Sequence, residues 1–253
     1  MFIIWVNQYL IDCRVVWEEP LKFSLDNKLT LTGPTPPSSG AITGGILKIM
    51  NEFNCKSEEK VIHRFTEAMK FAYAQRSKLG DWNDPKIQES VNDTIKYIQS
   101  DEWLQFVRNR LKDDKTNSST DYYGATYQYN SDDAGTSSIA VLSENGDAVS
   151  ATSTLNFEFG SGIMLPSTHI ILNDQMDDFS TPNTTNAYGI APSKENFIEP
   201  QKRPQSSMSP IIITDENKNV RVAIGASGGP RIISAVAYVS FVPWCLVFDL
   251  QNN

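Results

Sequence analysis

The chain has 253 residues, 22 Lys and Arg against 30 Asp and Glu, and a formal net charge of −8. A chain of this length buries enough core to fold without disulfides or metals, and its three cysteines, which lie far apart without CxxC spacing, indicate neither a disulfide framework nor a zinc site. The acidic balance, with no basic cluster longer than Gln201-Lys202-Arg203, argues against nucleic acid as a partner.

The first half of the chain predicts helices. The opening six residues are apolar but too short for a secretory signal, and no basic segment precedes them. Residues 31–45 concentrate Pro, Gly and Ser and predict a turn-rich loop before a helix at 46–53. Ser57 is a candidate N-cap of a second helix that continues to Gly80, and the apolar spacing predicts a third helix over 89–111.

The second half predicts strands. Residues 112–134 are rich in Asp, Ser, Thr, Asn and Tyr, so we predict a disordered linker there. Strand patterns follow at 138–143, 148–159, 170–172, 211–214 and 220–224, with a tight turn at Asn145-Gly146. Helices followed by strands indicate a mixed α+β domain. Residues 232–250 are largely apolar, but Ser234, Ser240 and Pro243 favour a buried helix or strand over a membrane span.

Several longer segments form a recognisable series along nearly the whole chain. They are Pro36-Pro37-Ser38-Ser39-Gly40, His63-Arg64 to Glu67, Phe71-Ala72-Tyr73-Ala74, Arg76 to Asp81, Gly135-Thr136, Ala148 to Asn156, Phe159-Gly160-Ser161-Gly162, Ile171 to Phe179, Pro204 to Met208, and Gly225 to Gly229. In order and spacing this series resembles the gamma-glutamyltransferase, or glutathione hydrolase, family.

The resemblance implies the fold and the division of the chain. The expected fold is the four-layer αββα sandwich of N-terminal nucleophile hydrolases, in an incomplete form. Residues 1–135 resemble the later part of the family's large subunit, and residues 136–253 resemble most of its small subunit, within one structural domain. The arginine with which the family pairs the substrate α-carboxylate belongs to the early large subunit and has no match here.

The resemblance also implies that Thr136 is the nucleophile and that the Gly135-Thr136 bond cleaves itself. The threonine hydroxyl attacks the preceding carbonyl, an ester forms by N-to-O acyl shift, and water releases a new chain that begins with Thr136. Gly135 has no Cβ to obstruct that attack. The freed α-amino group, with a reference pKa of about 7.7–8.0, can then act as general base for the hydroxyl.

The hairpin around Asn145 tests this assignment because the turn length fixes which residue returns beside Thr136. A two-residue turn would place Leu155 opposite Thr136. A three-residue loop with a left-handed Gly146 would place Thr154 opposite instead. We predict the second register, since by resemblance the hydroxyl of Thr154 hydrogen-bonds the nucleophile.

Substrate recognition is expected to hold a zwitterionic α-carbon. By resemblance, Asn156, Gln175 and Asp178 hold the glutamyl ammonium, while Ser206 and Ser207 donate to the α-carboxylate. Without the family context, the residues from Gln175 to Asp178 would be interpreted as a solvated turn and the serine pair as a helix cap.

The pair Gly228-Gly229 is expected to form the oxyanion hole, because glycines let backbone N–H groups approach the tetrahedral intermediate. Pro230 departs from the family pattern and is expected to restrict Gly229 to extended conformations. Ser138 and His169 are further departures, since the family often has histidine and glycine, respectively, at these positions.

The implied function is γ-glutamyl transfer from, and hydrolysis of, glutathione and other γ-glutamyl compounds, with amino acids or dipeptides as acceptors. The two cleaved pieces are expected to stay associated, and neither a metal nor an organic cofactor is implied. The alternative is a catalytically inert homologue that acts as a binding protein. The family suggests an extracellular or outer plasma-membrane location, although this chain carries no evident signal or anchor. Three glycosylation sequons would suit it, at Asn92, Asn117 and Asn183.

Overall fold

The computed structural model describes residues 15–25, 28–53, 57–125, 135–184 and 192–251. The strands in this part of the chain are β1 (Leu21–Leu25), β2 (Leu29–Gly33), β3 (Gly135–Leu142), β4 (Ala148–Asn156), β5 (Ile211–Thr214) and β6 (Val220–Ile224). A four-stranded antiparallel sheet has the order β1, β2, β5, β6, and β3 and β4 form a separate hairpin.

The sequence predictions are confirmed for β5 and β6, whose bounds agree with the expected ranges. The prediction of a strand at 170–172 is wrong, because Ile171 makes only an isolated bridge with Met164 and the neighbouring Ile170 is 57% exposed. Strands β1 and β2 were not predicted from the sequence, although Leu21, Phe23 and Leu25 alternate with exposed residues as a half-buried strand requires.

Helix α1 (Gly40–Met50) begins inside the segment expected to be a loop, so the loop prediction is wrong from Gly40 onward, whereas the predicted helix at 46–53 overlaps α1. Two of its glycines permit close packing rather than a turn. A Cβ on Gly44 would lie 2.4 Å from the ring of Phe23, and one on Gly45 would lie 2.9 Å from the side chain of Ile98. The helix can therefore approach its neighbours more closely than a larger residue would permit.

Helix α2 (Glu58–Arg76) confirms the second predicted helix, and the side chain of its N-cap Ser57 accepts from the backbone of Lys60. The predicted third helix is two helices, α3 (Gln88–Gln99) and α4 (Asp101–Arg110). Ser100 separates them in an extended conformation with ψ of 160°, and its hydroxyl accepts from the Trp103 N–H at 3.1 Å. Serine followed by Asp101 and Glu102 is an N-terminal signal that the apolar spacing concealed.

Part of the predicted disordered linker is ordered, in disagreement with the expectation. Residues 112–125 are described and include a short helix, α5 (Thr120–Tyr123). Tyr123 is buried, with its ring centroid 4.8 Å from that of Phe71, and its hydroxyl donates to the carboxylate of Glu67 at 2.8 Å. The tyrosine ring supplies the apolar area that this segment, with almost no aliphatic residues, otherwise lacks. Residues 126–134 of the predicted linker lie outside the described residues.

The last helix, α6 (Ile232–Gln251), agrees with the prediction of a buried helix or strand, since Ile233, Val236 and Ala237 have no exposed surface. Within the described ranges, no helix combines the length and apolar character that a membrane span requires. The hydrophobic core unites residues from both sides of Gly135, including Leu31 and Ile46 before it and Ile213 after it.

The hairpin lies against the main sheet through small and hydroxyl-bearing residues. The Ser150 hydroxyl donates to the Ile224 carbonyl at 2.8 Å. A Cβ on Gly225 would lie 2.1 Å from the Ser138 hydroxyl oxygen, so the hairpin approaches the end of β6 closely. Because the first strand of this hairpin begins with Gly135, its position against the sheet also positions Thr136.

Candidate active site

The hairpin register around the predicted nucleophile is largely the one expected. Ser143 N–H donates to the Asp147 carbonyl at 2.8 Å, and Gly146 has a φ of +87°, which confirms the three-residue loop. At the other end Gly135 pairs with Asn156 and Ser137 with Ser153, so the ladder is irregular between them. Thr136 therefore lies opposite both Thr154 and Leu155, rather than opposite Thr154 alone.

The Thr154 hydroxyl links the two strands at this irregularity. It donates to the Gly135 carbonyl at 2.7 Å and accepts from the Asn156 N–H, also at 2.7 Å. The resemblance implies a bond to the hydroxyl of Thr136, whereas the observed bond goes to the carbonyl immediately before it. A hydroxyl donor at this position polarises the carbonyl and makes its carbon a better electrophile.

Two cavities meet at Thr154. One, of about 330 Å³, is lined by Gly135, Thr136 and Thr154. The other, of about 760 Å³, is lined by Thr154 together with Gln175 and Ser206. The fold thus brings five of the predicted site residues, from the hairpin and two later segments of the chain, to one connected region.

Asp178 and Gln175 lie on a single 3₁₀ turn, Gln175–Asp178. The Gln175 side-chain amide donates to the Asp178 carboxylate. Burial raises the pKa of Asp178 to about 6, and the hydrogen bond from Gln175 and the positive charge of Arg76 oppose that rise. Asp178 is therefore mainly ionised at neutral pH and can attract a cation. The solvated-turn interpretation is wrong for Asp178, which is mostly shielded from solvent.

Asn156 ends β4 and is 4% exposed. Its φ of +76° is unusual for a residue other than glycine and turns the chain sharply at the end of the strand. The next residue, Phe157, donates its N–H to the Asp174 carboxylate at 3.1 Å. This bond joins the end of the hairpin to the segment that carries Gln175 and Asp178.

Ser206 and Ser207 lie in an irregular segment before β5, so the helix-cap interpretation is wrong. Ser206 donates its N–H to the Pro37 carbonyl at 2.9 Å, and its own carbonyl accepts from the Ser39 hydroxyl at 2.7 Å. The Ser207 hydroxyl accepts from Arg76 Nη2 at 3.1 Å. The proline- and serine-rich turn before α1 and the end of α2 therefore hold this serine pair from two sides.

The two glycines follow β6, with φ of +122° at Gly228 and +53° at Gly229. The expectation that Pro230 restricts Gly229 to extended conformations is wrong, because Gly229 is left-handed and begins a 3₁₀ turn, Gly229–Arg231. The Pro230 carbonyl accepts from the Tyr73 hydroxyl at 2.7 Å. Neither glycine is among the described residues that line the two cavities.

Two arginines near the site, Arg203 and Arg76, were not predicted from the sequence to have a role there. Arg203 lines the larger cavity, and its Nη2 donates to the Asp81 carboxylate at 2.7 Å. Arg76 is 6% exposed and lies four residues after the buried Ala72 of α2. The sequence could have identified Arg76, because it lies on the apolar face of a helix and a charge buried there needs a specific partner.

The described part of the chain contains no group of three or more His, Cys, Asp and Glu side chains arranged to hold a metal ion. The candidate site is built from side chains. Thr136 lies on a strand, Asp178 is a carboxylate that is ionised at neutral pH, and amide and hydroxyl groups line the connected cavities. This arrangement can bind an ammonium-bearing substrate beside a hydroxyl nucleophile.

Known proteins of one family are similar in sequence to this chain. The family model described as gamma-glutamyltranspeptidase matches residues 4–250. The chain is 44% identical over 224 residues to scoloptoxin SSD14 of Scolopendra dehaani, covering 85% of this chain and 38% of that protein. It is 39% identical over 210 residues to a glutathione hydrolase proenzyme of Arthroderma benhamiae, covering 81% of this chain and 35% of that protein.

A solved structure supports the fold. The cephalosporin acylase of Bacillus halodurans superimposes with a TM-score of 0.72 and 19% sequence identity, covering 94% of this chain and 40% of that chain. The α+β fold is thus an incomplete fold of the N-terminal nucleophile hydrolase type. The chain spans about two fifths or less of the length of each of these three proteins.

Proposed function

Because the chain belongs to the gamma-glutamyltranspeptidase family, we propose that it carries the catalytic threonine of an enzyme that removes γ-glutamyl groups from glutathione and related amides. Thr136 holds the γ-glutamyl group as an ester and passes it to water or to the amine of an amino acid or dipeptide. The relatives named glutathione hydrolase favour this enzyme over the non-catalytic alternative.

The observation that carries the proposal is the hydrogen bond from the Thr154 hydroxyl to the Gly135 carbonyl, at 2.7 Å. In the intact chain, the Thr136 hydroxyl attacks this carbonyl carbon, the Gly135–Thr136 amide bond breaks, and an ester forms while the nitrogen becomes a free amine. Water then hydrolyses the ester, which leaves a Gly135 carboxylate and a Thr136 with both hydroxyl and amine. The Thr154 donor stabilises the negative charge that the carbonyl oxygen gains during attack.

The freed amine acts as general base in turnover. Its reference pKa of about 7.7–8.0 leaves a useful neutral fraction near neutral pH, so it can accept the proton of the Thr136 hydroxyl as that oxygen attacks the substrate. The same proton then passes to the departing amine of the substrate. Gly228 and Gly229 supply the backbone N–H groups of the oxyanion hole in this scheme.

The headgroup of the substrate is held at the serine pair and the 3₁₀ turn. The Asp178 carboxylate pairs with the substrate ammonium, while Asn156 and Gln175 give that contact its direction. Ser206 and Ser207 donate to the α-carboxylate. The largely buried position of Asp178 and the location of Gln175 and Ser206 around one cavity support this assignment.

The two pieces left by self-cleavage stay associated. Strand β2 lies before Gly135 and β5 after it, and they pair in register from Thr30 with Thr214 to Thr32 with Ile212. Breaking one exposed peptide bond leaves this pairing and the shared core intact.

The test begins with the purified full chain on a denaturing gel. Self-cleavage is expected to give one piece of 135 residues and a second with the remaining 118 of the 253, whereas Thr136→Ala should give a single band. Release of a chromogenic amine from a γ-glutamyl anilide is then measured for both proteins, with Ser137→Ala as a matched control that alters the neighbouring hydroxyl. Equal release from the wild-type and Thr136→Ala chains would refute the proposed role of Thr136.

A further inference from the structure

Arg76, the last residue of α2, is a buried cation that contacts one part of the proposed headgroup site and acts electrostatically on the other. It is 94% buried, given an exposed fraction of 6%. Its Nη2 donates to the Ser207 hydroxyl at 3.1 Å, whereas its Nε has no hydrogen-bond partner in the described part of the chain. Burying a charged donor without a full set of partners is costly, so a role beyond packing would explain its placement.

The contact with Ser207 fixes the direction in which that hydroxyl can donate. A hydroxyl has a single proton to donate, and here its oxygen already accepts from the guanidinium. Within the described residues, no acceptor takes the Ser207 proton. The O–H group is therefore free to donate to a ligand, and the positive charge behind it makes it a stronger donor to an anion.

The charge of Arg76 also acts on Asp178. The groups that act on this carboxylate are Gln175, which donates to it, and the charges of Arg76 from α2 and of the neighbouring Asp174 and Asp177. Burial raises the pKa of Asp178, and the two other carboxylates raise it further, while Gln175 and Arg76 lower it. Removing the Arg76 charge would therefore leave Asp178 protonated over a wider pH range.

We infer that Arg76 is a positioning residue for the α-amino-acid headgroup, orienting Ser207 toward the carboxylate of the substrate and keeping Asp178 charged for its ammonium. This inference rests on the proposed function, and it assigns one residue to both ends of the headgroup. Arg76 acts through Ser207 and Asp178 rather than by contact with the reacting atoms.

The test compares Arg76→Met and Arg76→Lys with the wild-type chain, using Arg64→Met as a matched control. Arg64 lies on the same helix but pairs with Asp113, whose carboxylate is 2.7 Å away. Rates of γ-glutamyl anilide cleavage are measured from about pH 5 to pH 8, to cover the titration of Asp178. Circular dichroism checks that each variant is folded.

Arg76→Met is expected to raise KM about tenfold at neutral pH with little change in kcat, because the headgroup is held less well while the reacting groups are unchanged. The pH below which KM rises should shift upward from the wild-type value near 6. Arg76→Lys keeps the charge and should retain the wild-type pH dependence. A wild-type KM and pH dependence in Arg76→Met would overturn the inference without affecting the proposed function.

Binding of L-glutamate to the uncleavable Thr136→Ala chain, followed by calorimetry, makes the test independent of catalysis. Adding Arg76→Met, or Arg76→Lys if the methionine variant does not fold, is expected to weaken binding. A double-mutant cycle with Ser207→Ala should show that the Arg76 effect is smaller when the serine hydroxyl is absent. Additive effects, or no binding of glutamate even without the Arg76 change, would overturn the inference.

Discussion

The hydrogen bond from the Thr154 hydroxyl to the Gly135 carbonyl predicts how much the rate of self-cleavage should fall when that hydroxyl is removed. Replacing Thr154 by Val removes the hydroxyl and keeps the side-chain shape. Before reaction the bond joins neutral groups and contributes about 1 kcal/mol, whereas a bond to a charged oxygen contributes about 1.5–3 kcal/mol. Only the increase of about 0.5–2 kcal/mol between these states affects the rate, so Thr154→Val should cleave roughly tenfold more slowly.

The assay is a time course of precursor disappearance on denaturing gels. Thr154→Ser keeps the hydroxyl and should cleave at close to the wild-type rate. Thr152→Val is the matched control, because Thr152 lies on the same face of β4 and its hydroxyl is 3.2 Å from that of Ser138 rather than bonded to Gly135. A wild-type cleavage rate in Thr154→Val would show that this hydroxyl does not activate the carbonyl. A wild-type chain that never cleaves would refute self-cleavage itself.

Three further predictions concern stability, measured by denaturant unfolding. Arg64 holds the pKa of Asp113 at about 2, below its unfolded value, so the stabilisation is present above about pH 4 and lost as pH falls toward 2. Asp113→Asn should therefore lower the free energy of unfolding at neutral pH, by less than about 1 kcal/mol because the pair is partly exposed. A difference between the variant and the wild-type chain that persists at pH 2 would contradict this. Gly44→Ala should lower the free energy of unfolding by about 1–2 kcal/mol, since overpacking against the Phe23 ring outweighs the gain in helix propensity. A more stable variant would show instead that the ring moves aside. Ser100→Ala removes a helix N-cap and should cost about 1 kcal/mol, whereas Ser100→Asp should not.

Local patterns in the sequence predicted much of the fold. The spacing of apolar residues and the Ser57 cap gave α2, and the β-branched runs gave β5 and β6 at their observed bounds. These predictions succeeded because each depends on residues close together in the chain. The loop predicted at 31–45 failed at its end, where the first residues of α1 lie, for a different reason. Gly44 and Gly45 disfavour a helix by local preference and are tolerated here because their neighbours pack closely.

For the site, turn chemistry left two hairpin registers open, and the order of motifs indicated the family whose resemblance selected the three-residue loop that the structure shows. Only the tertiary structure decided that the Thr154 hydroxyl donates to the Gly135 carbonyl, since the irregularity beside Thr136 depends on how both strands end. Likewise, no local pattern places Arg76 beside Ser207, 131 positions further along the chain. Sequence spacing encodes local geometry, but burial and charge at a site arise from segments that meet only when the chain has folded.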